Sequence, residues 1–416
     1  MSRLTGGNVP RPLMLHILLD LGLFGLLTST IFTLLALAGL VRFLRARQTA
    51  AAGRSGATPH LPPVSLFKPL HGFEPNLEAH LESFFLQDYP DFEILFGARQ
   101  PSDAGLEIAR RVAARHPHIP VRFLTTGEDT YINAKVSSLE RMEAVARTDI
   151  FIISDSDVRV TPDYTRAVVA PFADDTVGAV TCLYRGIADG SLWSKLEAAG
   201  MSVEMTAGVL TANLLEGMKF ALGPTMAVRR RCVRKMGGFG VLGPYCSDDF
   251  LLGANVAAQG ETVVLSPHVI DHIILNLTFA ASVQHQARWM KSTRFSRPLG
   301  HLGTALTFSV PFGLLACFAA LALHRPILGL SLLAASVLQR MILAALIGVA
   351  AVNDRHPLRA ILLYPLRDLI GFGCWVASYA GSTILWRGTR YRLSRGGLMH
   401  VVSAPQPDQT ESPLPV

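Results

Sequence analysis

Long apolar runs lie near both ends of the chain, and shorter ones alternate with polar segments in the middle. The uncharged run at residues 22–41 has about the 20 residues that a helix needs to cross a bilayer core of roughly 30 Å. Further apolar stretches cover residues 303–323, 326–351 and 360–386. This pattern predicts one N-terminal and two to three C-terminal transmembrane helices.

The first apolar run is interpreted as an uncleaved anchor within residues 1–47. A cleavable signal peptide is the alternative, but the run is longer than a usual signal h-region and lacks a small-residue cleavage pattern after it. Arg42, Arg45 and Arg47 follow the run. By the positive-inside rule they place the middle of the chain in the cytoplasm.

Charged residues in the late runs are unusual, because ionisable groups at membrane depth are costly unless they are paired or face a cavity. Arg340 lies in the second late run, and Arg367 and Asp368 lie in the third. We expect them to pair, to reach the interface or to serve a site. If all three late runs span the membrane, the C-terminal arginines lie on the side opposite the cytoplasm, which conflicts with the positive-inside rule. One of the runs is therefore expected to be interfacial or re-entrant.

Between these runs, a small polar linker at residues 48–62 leads into a mixed segment at residues 63–298, followed by membrane helices at 299–390 and a polar tail at 391–416. Alternating strand and helix patterns predict an α/β domain with a mostly parallel sheet, whose ligands bind beyond the carboxyl ends of the strands. The predicted strands are 64–70, 92–98, 121–126, 149–157 and 177–186, and the predicted helices are 77–87, 104–115, 133–146 and 163–172.

Composition supports a membrane protein, because 50% of the residues are hydrophobic and only 17% are charged. The net charge of +7 comes from arginines that flank apolar segments, which favours attraction to a membrane surface over binding of nucleic acid. The five cysteines are widely spaced and predict neither a disulfide framework nor a zinc site.

The stretch DIFIISDSDVRV ends a buried strand in two carboxylates, Asp155 and Asp157. One interpretation is a capped turn, since aspartate side chains often bond to nearby backbone N–H groups. The other is a site for Mg²⁺ or Mn²⁺, with water and phosphate oxygens completing the ligands.

Other candidate residues also have ordinary structural interpretations. Lys68 and Lys135 stand at strand ends or helix starts, where an ammonium favours phosphate, although either lysine alone is more often a solvated surface residue. Asp248 and Asp249 resemble acidic first-turn residues of a helix, or a general base. The block HQARW, with Arg288 and Trp289, suits an interfacial segment or a cap over a nucleoside diphosphate.

In order, the motifs VSLFKPLHG, NAKVSS, DSD, SDD and HQARW resemble the ceramide glucosyltransferase family, glycosyltransferase family 21, over nearly the whole chain. Details such as VTCLYRG and the histidine of HQARW are most similar to its bacterial branch associated with hopanoid lipids. The resemblance implies a GT-A fold, a UDP-sugar donor, a divalent cation, inversion at the anomeric carbon and a membrane lipid acceptor. We also expect an integral protein of the cell inner membrane, with the catalytic domain facing the cytoplasm by the positive-inside rule.

The resemblance further implies a role for each matching position. Lys68 and Pro69 would lie near the nucleoside, and Lys135 near the diphosphate. Asp155 and Asp157 would hold the donor and the metal, and Asp249, beside Asp248, would be the base. The residues that would close over the leaving group are His285, Arg288 and Trp289.

Two positions depart from the family pattern. Gln100 stands where an aspartate usually contacts the nucleobase, although its amide can still pair with uracil and Asp103 is close in sequence. His285 opens the last block, and its role is left open.

A glucose or N-acetylglucosamine transfer to a ceramide-type or hopanoid lipid is the leading hypothesis. The alternatives are a processive polysaccharide synthase, which would normally need more membrane helices, and an inactive membrane scaffold. Residues 201–220 could form a surface near the acceptor entrance or a core helix.

Overall fold

A computed structural model describes residues 11–53, 60–188, 190–386 and 388–403. Part of the predicted linker (54–59), Arg387 and residues 404–416 of the predicted tail lie outside the described residues.

The N-terminal anchor is one long helix, α1 (Arg11–Gly53), of 43 residues. It therefore continues beyond the apolar run and through residues 48–53, which the sequence pattern had assigned to the linker. Alanines in this stretch explain the difference, because alanine is the residue with the highest intrinsic helix propensity. Near the end of the helix, Arg47 donates to the carbonyl oxygens of Ala350 and Ala351, at 3.1 and 2.6 Å.

An eight-stranded mixed sheet forms the middle of the chain, in the order β3-β2-β1-β4-β7-β6-β8-β5. Strands β1 to β4 run parallel, β6 and β8 run parallel, and β7 joins the two parts through antiparallel pairings. The strands are β1 (Val64–Pro69), β2 (Phe92–Ala98), β3 (Val121–Thr125), β4 (Ile150–Ser154), β5 (Val158–Arg159), β6 (Val177–Ala188), β7 (Thr225–Arg229) and β8 (Thr262–Ile274).

Helices cover this sheet and follow the predicted alternation closely. They are α2 (Leu77–Phe85), α3 (Ala104–Arg115), α4 (Ala134–Val145), α5 (Tyr164–Val169), α6 (Leu192–Ala199), α7 (Thr206–Glu216), α8 (Arg230–Lys235), α9 (Asp248–Ala258) and α10 (Phe279–Ser296). A π-helical turn, Gly200–Met205, joins α6 to α7.

The strand that precedes the two aspartates is buried over its whole length, as its apolar sequence predicts. Phe151 of β4 stacks on Phe67 of β1, with ring centroids 4.8 Å apart. Helices on both faces account for the unbroken apolar run, because a strand buried on both sides cannot alternate with polar residues. The chain therefore leaves the sheet at Asp155 from a rigid position.

The described residues include three helices that are long and apolar enough to cross a membrane. They are α1 and two later helices, α13 (Pro326–Leu346), which continues as a π-helical turn (Ile347–Ala351), and α14 (Pro357–Ala377).

The first late run is not one straight helix. It divides into α11 (Pro298–Thr304) with a following 3₁₀ turn (Ala305–Thr307), and α12 (Val310–Ala322). The pair is bent by 53°. The Asp368 side chain accepts hydrogen bonds from the backbone N–H groups of Ser309 and Val310, at 2.9 and 2.8 Å, and so caps the start of α12 at the bend.

The third late run also ends earlier than predicted. Its last residues and part of the predicted polar tail form an antiparallel sheet of three strands, β9 (Thr383–Trp386), β10 (Thr389–Ser394) and β11 (Leu398–Ser403). Gly381, with φ of 76°, adopts a left-handed conformation before β9, where glycine is favoured because it has no Cβ.

The charged residues of the late runs are paired. Arg340 of α13 lies 3.6 Å from Asp368 of α14, and Arg367 lies 3.0 Å from Glu204 of the π-helical turn before α7. Pairing was one of the outcomes expected for these residues.

Candidate active site

A cavity of about 800 Å³ opens at the carboxyl ends of β1 and β4. Its wall contains the loop after β4, the start of α9 and one side of α10. The cavity also reaches the π-helical turn before α7 and the membrane helices α13 and α14, so polar and apolar surfaces line one space. Sequence-predicted residues in its wall are Pro69, Lys135, Asp155, Asp157, Asp248, Asp249, His285, Arg288 and Trp289.

The loop after β4 presents its two carboxylates beside cations. Lys135, in the first turn of α4, lies 2.7 Å from Asp155 and 3.5 Å from Asp248, and so joins two acidic motifs. Burial lowers the pKa of Lys135, but the carboxylates of Asp155 and Asp248 outweigh it and raise this pKa above its ordinary value. The lysine is therefore a fixed positive charge at the cavity wall.

Asp157 pairs with a residue that sequence analysis did not identify. His272 of β8 lies 3.2 Å from the Asp157 carboxylate. Burial raises the pKa of Asp157, but the attraction of His272 outweighs it, and the pKa falls to about 2. The sequence did contain a signal for this pair. The apolar strand sequence VIDHII includes two ionisable residues, Asp271 and His272, and charged groups are rare in buried strands.

Lys68 lies beneath the aspartate loop instead of in the cavity wall. Its side chain is completely buried, and its ammonium donates to the backbone carbonyl of Asp155 at 2.5 Å. The same ammonium lies 3.8 Å from the centre of the Phe84 ring. Burial lowers the pKa of Lys68 to about 7, against the opposing effect of Asp155 and Asp157. Its contacts support the loop backbone.

Asp248 and Asp249 open α9, as the sequence pattern predicts. Asp248 is buried and accepts from the Asn133 amide at 3.2 Å. Asp249 accepts backbone hydrogen bonds from Gly223 at 2.9 Å and from Phe250 at 2.7 Å. Burial and the neighbouring charge of Asp248 raise the pKa of Asp249 to about 6. A carboxylate with such a pKa is suited to accept a proton near neutral pH.

His285 is held by a buried glutamate of α6 that the sequence analysis did not single out. Its Nδ1 lies 2.6 Å from Glu197, and Glu197 also accepts from Asn276 at 3.0 Å and from Ser282 at 2.6 Å. Burial raises the pKa of Glu197, but these hydrogen bonds outweigh it and lower this pKa. The carboxylate therefore fixes the imidazole ring orientation. A lone glutamate in the apolar helix LWSKLEAA was the signal for this pair.

The C-terminal sheet contributes an aromatic wall next to the last motif. The Arg288 guanidinium lies 5.6 Å from the centre of the Trp386 ring of β9, and His285 contacts the ring of Trp289 at 4.3 Å between centroids. Trp386 and Tyr391 line the cavity. The end of the last predicted membrane segment, at Trp386, and Tyr391 of the predicted polar tail thus line the same cavity as the motifs.

Two of the residues proposed for the nucleobase lie elsewhere. Asp103 caps α3 and accepts from the backbone of Gly105 and Leu106, and it also accepts from Gly72 at 2.9 Å, so its oxygens are engaged. Gln100 is exposed and is absent from the cavity wall, whereas its neighbour Arg99 is part of it.

The two loop aspartates fit a divalent cation that is shared with a diphosphate. One buried oxygen of Asp157, Oδ1, has no hydrogen-bond partner among the described residues, and carboxylate oxygens are ligands that Mg²⁺ and Mn²⁺ prefer. Within the described part of the chain, no group of three or more His, Cys, Asp or Glu residues could hold a metal. Most ligands would therefore come from the nucleotide and water.

Comparison with known proteins identifies the family of the chain. The sequence model of glycosyl transferase family 21 matches residues 26–399. Ceramide glucosyltransferase 1 of Caenorhabditis elegans is 24% identical over 345 residues, which cover 82% of this chain and 73% of that relative. Ceramide glucosyltransferase 3 of the same organism is 21% identical over 361 residues, covering 81% of this chain and 74% of the relative.

Among solved structures, a mannosyltransferase from Pyrobaculum calidifontis in complex with GDP-Man and Mn²⁺ is similar, with a TM-score of 0.48 and 18% identity over 86% of this chain and 99% of that chain. The family match spans most of the sequence and confirms the resemblance drawn from the five motifs. The chain is therefore a membrane-associated glycosyltransferase that belongs to glycosyl transferase family 21.

Proposed function

We propose that the chain transfers a hexose, glucose or N-acetylglucosamine, from a UDP-sugar to a hydroxyl group of a membrane lipid, with inversion at the anomeric carbon. The observation that carries this proposal is the single cavity that contacts both the aspartate motifs and the membrane helices. A water-soluble donor and a lipid acceptor require such a junction of polar and apolar walls.

The donor would bind over the loop after β4. Asp155 and Asp157 would hold Mg²⁺ or Mn²⁺ together with the diphosphate, and the cation would neutralise charge on the leaving group. Lys135 is fixed beside Asp155 and supplies a positive charge to the same diphosphate. Arg288 and Trp289 would cover the leaving group from α10, with Trp386 alongside.

In the reaction, the lipid hydroxyl oxygen attacks the anomeric carbon and forms the new glycosidic bond. The bond from that carbon to the diphosphate oxygen breaks on the opposite face, and UDP leaves with its electron pair. Asp249 accepts the hydroxyl proton, which its raised pKa of about 6 favours. One base is sufficient, because the diphosphate leaves without protonation.

The relatives named ceramide glucosyltransferases support a ceramide-type acceptor, and a hopanoid is the alternative drawn from the sequence details. Arginines after the first apolar run favour a catalytic domain on the cytoplasmic side of an inner membrane. The domain division at residues 62/63 and 298/299 is part of the same proposal.

The test is incubation of the purified protein in detergent with a panel of UDP-sugars and lipid extracts, followed by mass spectrometry of the lipids. We expect a lipid whose mass increases by one hexose or one N-acetylhexosamine. A ladder of products with repeated sugars would instead indicate a processive synthase. Unchanged lipids and unconsumed donor with every combination would indicate a scaffold.

A further inference from the structure

Two arginines from different membrane helices lie in the wall of the cavity. Arg340 of α13 and Arg367 of α14 are only 1% and 5% exposed, and both line the cavity together with Tyr364. Each has one acidic neighbour, Asp368 for Arg340 and Glu204 for Arg367. The four charged groups form what we call the membrane arginine cluster.

These arginines have more donors than their neighbours can accept. Nε and Nη2 of Arg340, and Nε and Nη1 of Arg367, are buried and have no hydrogen-bond partner among the described residues. One oxygen of Asp368 is already occupied by the backbone N–H groups of Ser309 and Val310. A buried donor without an acceptor is costly, and more so when the group carries a charge. The cluster therefore lacks hydrogen-bond acceptors.

The cluster does not lack negative charge. Its two arginines and two carboxylates sum to a formal charge of zero. An anionic ligand would add a net charge at membrane depth, where unbalanced charge is costly. An uncharged carbonyl or hydroxyl oxygen would satisfy the free donors without that cost.

We propose that Arg340 and Arg367 bind an uncharged polar group of the lipid acceptor, a carbonyl or hydroxyl oxygen other than the one that is glycosylated. This inference rests on the proposed transfer to a lipid. One cavity wall contains both Asp249 and the arginines, so a lipid with its reactive hydroxyl at Asp249 would extend its next polar group toward the cluster.

The first test compares two acceptors on the unmodified protein in detergent: a long-chain alcohol whose only polar group is the reactive hydroxyl, and a lipid of equal chain length with an added amide carbonyl. We expect the amide lipid to have a KM at least about tenfold lower, because hydrogen bonds from charged donors are among the strongest in proteins. Equal KM values for the two lipids would overturn the proposal. Transfer to neither of them would instead contradict the proposed function.

A second test removes the donors of Arg340 while keeping the charge balanced, in the double variant Arg340→Met/Asp368→Asn. The new asparagine can still accept from the start of α12. We expect the double variant to lose most of the preference for the amide lipid, because only the donors of Arg367 remain, and to keep its KM for the UDP-sugar. Retention of the full preference would count against the cluster as the binding site.

Arg359→Gln is the matched control, since Arg359 lies on the same helix α14 and outside the cavity wall. It should keep the preference. If the double variant does not fold, Arg367→Lys serves instead, because lysine keeps the charge but lacks the planar donor set; it should reduce the preference. A phosphate-bearing acceptor that binds more tightly than the amide lipid would also refute an uncharged ligand.

Discussion

At the scale of single residues, Asp249 has both the position and the pKa that suit a general base. It lies in the cavity wall, and burial together with the adjacent Asp248 raises its pKa to about 6. Because only the ionised form accepts a proton, kcat/KM should fall about tenfold per pH unit below pH 6 and level off above it. A pH profile of transfer at saturating cation concentration checks this.

The variant Asp248→Asn tests whether Asp249 is the base, because the direction of the expected pKa shift is known. Removing the neighbouring negative charge should lower the pKa of Asp249, so the acid limb of the profile should move to lower pH. An acid limb that stays in place in this variant would argue that another group titrates there.

Lys68 is expected to act through the loop that it supports. Lys68→Met removes the donor to the Asp155 carbonyl, so the loop backbone loses a hydrogen bond from a charged group, a loss of about 1.5–3 kcal/mol. We expect kcat/KM for the UDP-sugar to fall by about 10- to 100-fold, measured by steady-state kinetics. Lys235→Met is the control, because Lys235 is exposed on α8 and should tolerate the change; equal losses in the two variants would contradict a specific role.

The cation is expected to bind mainly together with the nucleotide. Asp155 lies beside the cation of Lys135. Asp157 lies beside His272, whose pKa is raised because the Asp157 carboxylate outweighs the effect of burial. Both neighbours weaken the attraction of the aspartates for a free metal ion. Titration calorimetry should therefore give much weaker binding of Mn²⁺ alone than of Mn²⁺ in the presence of UDP. Equally tight binding without UDP would contradict a shared site.

At the scale of elements, the π-helical turn before α7 makes room for Arg367. A Cβ added at Gly200 would lie 2.1 Å from Arg367 Nε. Gly200→Ala should destabilise the protein by about 1–3 kcal/mol, as overpacking usually does, and lower the midpoint of thermal unfolding in detergent. Gly208→Ala on α7 is the matched control, since a Cβ there meets nothing within 4 Å; a similar loss in both variants would disprove this packing explanation.

Elements of the middle domain were largely predictable, because their signals are local. The strand at Phe92–Ala98 and the helix at Ala104–Arg115 have the predicted bounds, and the capped helix start at Asp103 shows why a clear N-cap fixes a boundary. The break between α11 and α12 has a local signal in Pro311, which stands in the first turn of α12, whereas the cap that Asp368 supplies comes from a residue distant in sequence and was not predictable. The same holds for β9 to β11, whose packing against α10 an apolar run does not encode.

The candidate site shows a similar division. Asp155, Asp157, Asp248 and Asp249 follow from motifs at strand and helix ends and do lie in one cavity wall. Lys68 shows the limit of such reasoning, since its sequence position suggested a phosphate contact but its side chain is buried beneath the loop. Glu197 and His272 contact site residues only through tertiary packing. In the sequence, the one indication of their role is that each is an ionisable residue within an apolar element.

At the scale of the whole molecule, the membrane helices are part of the active-site wall as well as an anchor. Arg340, Tyr364 and Arg367 line the same cavity as Asp249. The geometry favours an acceptor that stays in the bilayer while the donor enters from water. The central proposal is that a sugar nucleotide meets a lipid hydroxyl at Asp249, and the cavity that joins Asp249 to these helices supports it.

The most direct test of this claim measures glycolipid formation by the wild type and by Asp249→Asn, with binding of the UDP-sugar measured in parallel. Wild-type protein should convert a lipid to its monoglycosylated product. Asp249→Asn should bind the donor normally and form the product about 10²- to 10⁴-fold more slowly, as expected for loss of a general base. Undiminished glycolipid formation by Asp249→Asn would contradict the account.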